Sequence, residues 1–257
     1  MIDTFDQLWP RFHRIFVEAL TFAIRDVSSR LMWSIPFLVC ETLGLCLKYA
    51  AAGWGGAAHD LSLPARIAVY YSGLPLFVAI VRSIVLNEHQ TASYFQLLRS
   101  KTVWRVFLAN LKMALPLAAC VIVFVVFLSV LANRTLAFAL ATPIGIFVLV
   151  RLFFVGVIPA IDGPISLKAS WSATVGHFWV IAGLLLAATL LTALPVLAVQ
   201  ALAKNTGLSG SPLLALALLG IAFEVVWRFF GTILSAATMA VAFREVGPSS
   251  ADPVFAG

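Results

Sequence analysis

Six runs of about 20 apolar residues, each long enough as a helix to cross the hydrocarbon core of a bilayer, divide this chain. They cover residues 31–49, 67–86, 113–132, 136–158, 178–203 and 212–243, and the last is long enough to tilt or to break near Gly231. At 62% apolar residues, 11% charged residues and a mean hydropathy of +1.03, the chain has more apolar surface than a soluble fold can hide. These features predict an all-α, polytopic membrane protein: one integral membrane domain over residues 1–257 with six transmembrane helices.

Lysine and arginine set the expected orientation, because cytoplasmic segments near span ends carry the excess. Arg11, Arg14, Arg25, Arg30, Arg99, Lys101, Arg105, Lys112, Lys168 and Arg244 fall on one side of the six-span layout, and Lys48, Arg66, Arg134 and Lys204 on the other. That bias of ten to four predicts both termini in the cytoplasm. About thirty polar-rich residues with Asp3, Asp6, Glu18 and Asp26 precede the first run, so the chain is expected to start at Met1 without a cleaved leader. The net charge of +6 is scattered between apolar segments, which suits anionic lipid headgroups as partners and argues against nucleic acid.

On the basic side each pair of spans follows an amphipathic stretch expected to lie in the headgroup plane. Phe16, Leu20, Ala23, Ile24 and Val27 share one helical face against Glu18, Arg25 and Asp26. Tyr94, Leu97, Leu98 and Trp104 stand beside Arg99, Lys101 and Arg105; Leu167, Trp171, Val175 and Phe178 oppose Lys168, Ser170 and Ser172. The chain thus parses as three units, residues 12–90, 91–162 and 163–246, with Pro36, Pro116 and Pro195 in their first spans.

The second span of each unit carries an arginine in a similar setting: Arg82 in FVAIVRSIVL, Arg151 in IFVLVRLFFVG and Arg228 in FEVVWRFFG. A charge in hydrocarbon costs several kcal/mol unless it snorkels or is paired. Glu224, four residues before Arg228, is in the favourable order for an intrahelical pair, and Glu41 is the acid of the first span. Two readings stay open: the arginines snorkel to the surface, or they converge with Glu41 and Glu224 in a buried network that holds an anionic headgroup.

The best-defined motif is Pro159-Ala160 followed by Leu167, Ala169, Ser170, Trp171, Thr174, Gly176, Phe178 and Trp179, leading straight into an apolar run. Over residues 150–185 it resembles a bacterial membrane family that includes the YciC-type inner-membrane proteins and the membrane domain fused to some glycerophosphodiester phosphodiesterases. Elsewhere the likeness is one of layout. The resemblance implies a six-span protein with a role in lipid or envelope upkeep. It does not imply phosphodiester hydrolysis, since the catalytic barrel of the fused proteins has no counterpart here. The residues give the motif a physical reading of their own: Pro159 and Pro164 stop a helix, Ser166 caps the next, Gly176 ends it, and Trp171 and Trp179 anchor it at an interface.

Chemistry-bearing residues are sparse. His13, His59, His89 and His177 stand in no metal or triad context, His59-Asp60 is an isolated pair on a Gly-rich loop, and Cys40, Cys46 and Cys120 lack metal-site spacing. No catalytic residue, metal or cofactor is therefore expected. Two classes of function remain: a non-enzymatic protein that binds lipid or a membrane partner, and a small-solute transporter or channel. A transporter needs the span charges around a midplane cavity; lipid binding needs them near the cytoplasmic surface.

Overall fold

The computed structural model describes residues 5–54, 62–88, 92–131, 134–205 and 211–247, and among them every regular element is an α-helix. His59, Asp60, His89, Asn133 and the side chains of Lys48, Pro116, Cys120, Arg134 and Lys204 lie outside the described residues. In chain order the helices are α1 (Phe5–Trp33), α2 (Ile35–Trp54), α3 (Ser62–Val85), α4 (Tyr94–Leu98) and α5 (Lys101–Leu131). There follow α6 (Arg134–Arg151), α7 (Val157–Ala160), α8 (Leu167–Ala173), α9 (Phe178–Asn205) and α10 (Ser211–Val246).

Three stretches of described residues are long and apolar enough to cross a bilayer: Pro64–Val85 of α3, Phe178–Val199 of α9 and Leu218–Val246 of α10. A fourth exists if Leu8–Trp33 and Ile35–Leu47 count as one broken span, bent by 88°. The bend has a local cause. Pro36 has no N–H to continue the α1 ladder, and its ring crowds the preceding turn. Residues 31–33, expected to open the first span, consequently belong to α1 and lie before the corner.

The inner half of α10 is the axis of the fold. Ile233, Leu234, Ala236, Ala237, Ala240 and Ala242 are inaccessible to solvent, packed together with Ile15, Ala19 and Ala23 of α1, Val78 and Val81 of α3, and Ile181 and Leu184 of α9. Alanines of α1 and α10 stand among these contacts, where a small side chain lets backbones approach closely. Gly44 of α2 meets Val69 of α3 so closely that an added Cβ would stand 2.8 Å from its methyl group. Large side chains turn outward instead: Ile35, Val39, Leu43 and Leu47 of α2 and Leu186, Leu190, Leu194 and Leu197 of α9 form exposed stripes at helical spacing. Such surfaces are consistent with a membrane protein.

Several sequence expectations change in physical detail. The amphipathic stretch before the third span is continuous with it in α5, after a short α4 capped by Ser93 and Gln96. The helix of the fourth run, expected to extend to residue 158, ends at Arg151. Residues 152–160 then fold back as turns and α7, all buried, so their apolarity reports an internal position and not a crossing. In α8 one residue departs from the expected polar face: Lys168 and Ser172 are exposed, but Ser170 is not. Ser170 and Thr174 are fully buried, while Leu167, Trp171 and Val175 are exposed, because the hydroxyls serve the broken backbone beneath them. Its ends are those expected: Ser166 accepts from the Ala169 N–H at 3.2 Å, and Gly176 adopts φ 85°, the left-handed conformation glycine favours.

Candidate functional site

Residues from α2, α3, α5, α6, α9 and α10, with Leu152, Phe153 and Gly156 after α6, line a half-open cavity of about 730 Å³. The walls are mainly apolar, with Phe37, Leu74, Phe77, Leu185, Trp227 and Met239 among them. Three charged side chains line it: Glu41 from α2, and Glu224 and Arg228 from α10. The i,i+4 spacing brings the last two together. Arg228 donates from Nη2 and Nε to Glu224 Oε1 at 2.7 and 3.1 Å. Its Nη1 stands 3.7 Å from Glu41 Oε2, an ion-pair distance but too long for a hydrogen bond. Both carboxylates are buried, whereas the guanidinium is 42% exposed.

Neighbouring polar groups brace this trio. Trp227 Nε1 donates to the Thr192 carbonyl at 2.9 Å, tying α10 to α9, and the Thr232 hydroxyl donates to the Arg228 carbonyl at 3.0 Å. Tyr70 and Asn110 also line the cavity, the Asn110 amide donating to the Val106 carbonyl at 2.9 Å.

The other two arginines belong to different surroundings. Arg82, in the last turn of α3, donates from Nε and Nη2 to the two Glu88 oxygens and from Nη1 to Asp162 Oδ2 at 2.7 Å and the Ala160 carbonyl at 3.2 Å. Asp162 also accepts from Thr102 at 3.3 Å, and Arg105 donates to the Gly163 carbonyl at 2.6 Å. The loop after α7 is thereby fastened to the ends of α3 and α5. The Arg82 hydrogen bond, reinforced by its charge, holds the Asp162 carboxyl below its ordinary value of 3.8.

Arg151 closes α6 with its guanidinium over the rings of Phe147 and Trp171, 5.2 and 5.5 Å from their centroids. Its buried Nε and Nη1 have no hydrogen-bond acceptor among the described residues, so the aromatic faces offer what electrostatic compensation they receive there. Its carbonyl accepts from Ser170 Oγ at 3.1 Å and Thr174 Oγ1 at 3.4 Å, and Ser170 Oγ in turn accepts from the Phe154 N–H at 3.2 Å. The Ser-Trp-x-x-Thr portion of the motif is thus a splint for a broken helix. Pro159 is buried beneath it, Phe178 packs against Phe147, and Trp179 projects outward with 72% of its surface exposed.

The structure therefore gathers Arg228, Glu224 and Glu41, and gives Arg82 and Arg151 separate partners. Arg228 lies near the middle of α10, whereas the others stand at helix ends. Sequence reasoning missed Glu88 and Asp162; the Asp162-Gly163-Pro164 turn signature was the available clue. Among the described residues no three His, Cys, Asp or Glu side chains gather as metal ligands. Comparisons with family models, curated proteins and solved structures found no match to the chain.

Proposed function

We propose that the chain is a non-enzymatic, multi-pass protein of a bacterial inner membrane that binds lipid in envelope maintenance. The observation that carries this reading is the cavity: mainly apolar walls, about 730 Å³, and a small polar cluster on one side, which is the make-up of a site for a single amphipathic molecule. Six spans with cytoplasmic termini complete the reading, α2, α5 and α6 adding crossings to the three long apolar helices. Its support is the ten-to-four basic bias and the pairing of Arg14 with Glu245 and of Arg244 with Glu18, which keeps α1 beside the end of α10. The basic residues of that side attract anionic headgroups of the surrounding bilayer. The three-unit parse and the likeness to the YciC-type family belong to the same proposal and rest on sequence.

Lipid extraction from protein purified in mild detergent tests it, with Ala193→Phe projecting a ring from the cavity wall. Wild type should retain lipid and the variant should lose most of it at unchanged helix content. Equal lipid in both, or none in either, overturns the reading. The place of Arg228 near the middle of α10, lining the cavity with Glu41 and Glu224, favours a second reading, a small-solute transporter. Solute flux in sealed vesicles that disappears in Arg228→Leu would replace the first reading by the second.

A further inference from the structure

The charges on the cavity wall do not balance in favour of an anion. Arg82 is engaged by Glu88 and Asp162, and Arg151 by two aromatic rings, so neither compensates charge in the cavity. What remains there is one guanidinium and two carboxylates. Arg228 directs two donors to Glu224, which leaves Glu224 satisfied and only 4% exposed. Glu41 is in a different position: buried, cavity-lining, and 3.7 Å from a guanidinium already committed elsewhere. Its oxygens retain acceptor capacity in a low-dielectric setting, where an acceptor without a donor is costly.

We infer that the molecule bound in this cavity is an amphiphile with a singly positive, ammonium-type headgroup seated at Glu41, its hydrocarbon chain lying along Phe37, Leu74, Phe77 and Leu185. The inference rests on the proposed role of the cavity as a lipid-type binding site and deepens it by fixing the headgroup charge. One positive charge brings the cluster to neutrality, whereas a sulfate or phosphate would enter beside two carboxylates and find the one arginine already giving two donors to Glu224. A neutral alcohol would gain the apolar wall but forgo the charge-assisted contact.

Three probes with the same ω-brominated decyl chain separate the possibilities: a primary decylammonium, which carries N–H donors, a decyl sulfate and a decanol. Bromine quenches tryptophan on contact, and Trp227 lines the cavity. The readout is therefore the part of the quenching in lipid nanodiscs that is lost in Trp227→Phe. With probe counted per lipid in the nanodisc, so that partitioning does not enter the ranking, the ammonium probe should quench Trp227 at the lowest loading, and Glu41→Gln should raise that loading about tenfold while leaving the alcohol unchanged. Glu41→Asp should restore part of the preference. Because Glu41→Gln alters the cavity and not the bilayer, differences in probe partitioning cancel between the two proteins. An alcohol or sulfate that quenches as well as the ammonium overturns the headgroup assignment and leaves the cavity reading standing; the wild-type ranking decides this even if the Glu41 variants do not fold. Quenching of Trp227 by none of the three overturns both.

Discussion

Arg228 links two carboxylates of different origin, Glu224 from its own helix at 2.7 Å and Glu41 from α2 at 3.7 Å, and so couples a local pair to a tertiary contact. Its removal would leave two buried acids without a counter-charge. Arg228→Leu should therefore destabilise the protein by about 2 kcal/mol, below the range for breaking fully buried pairs because the guanidinium is 42% exposed. Glu224→Gln alone should cost less, and the double variant Arg228→Leu/Glu224→Gln should be more stable than Arg228→Leu. Reversible unfolding in a single detergent gives the ranking; an Arg228→Leu protein as stable as wild type would show that the pairs contribute nothing.

The hydroxyl of Ser170 replaces backbone partners where the chain leaves α6, accepting from Phe154 N–H and donating to the Arg151 carbonyl. Ser170 and Phe154 are fully buried, so Ser170→Ala should cost about 1 to 3 kcal/mol. Thr174→Ala should cost less, because its 3.4 Å bond to the same carbonyl is long and its hydroxyl also bonds Trp171 O within α8. Equal losses in the two variants would argue that the splint is not what Ser170 supplies.

How much of this was legible in the sequence depends on what each pattern measures. Apolar runs marked α3, α9 and α10, because a long uninterrupted helix and a long apolar run coincide there. The same signal misjudged residues 152–160, since burial inside the protein and exposure to lipid select the same side chains. The amphipathic pattern of α8 misplaced Ser170 for a related reason: it turns inward, with Thr174, to broken backbone. Glu224 and Arg228 could be paired from an i,i+4 rule. That Glu41 would join them, and that Asp162 and Glu88 would take Arg82, depended on tertiary packing for which no local spacing rule exists.

The orientation of α8 is open to spectroscopy. Spin labels at Lys168 and Ser172, both exposed, and at Val175 on the apolar side sample different faces without entering the core. The label at Val175 should show greater contact with a lipid-soluble relaxation agent than those at Lys168 and Ser172, as expected for a helix in the headgroup plane. Equal accessibility at all three positions would place α8 in water, away from the interface.

Topology is read with reporter fusions. Both termini in the cytoplasm require an even number of crossings, and the pairing of Arg14 and Glu18 with the end of α10 puts α1 and that end on one side. A reporter after Gly257 should therefore give a cytoplasmic signal and one near Gly56 a periplasmic signal; both insertion points lie outside the described residues. A periplasmic C-terminus would reverse the orientation.

The ion pair at the end of α3 makes a prediction about pH. Asp162 is held below its ordinary value of 3.8 chiefly by the hydrogen bond from Arg82, so folding favours its charged form. A carboxyl with a depressed folded-state pKa contributes stability in full above its unfolded value and loses that contribution as pH falls through the folded value. Wild type should therefore exceed Asp162→Asn in thermal midpoint at pH 6 to 7, and the gap should be constant down to about pH 5 and close below about pH 4. The gap should be small, because the Asp162 side chain is 55% exposed and solvent screens the pair. Arg82→Gln should abolish the pH dependence of the gap while leaving its own offset, since the Ala160 carbonyl and Glu88 also lose their donor. A gap that widened toward low pH would mean that Asp162 is held protonated in the folded protein, opposite to what its contacts with Arg82, Thr102 and Arg105 dictate.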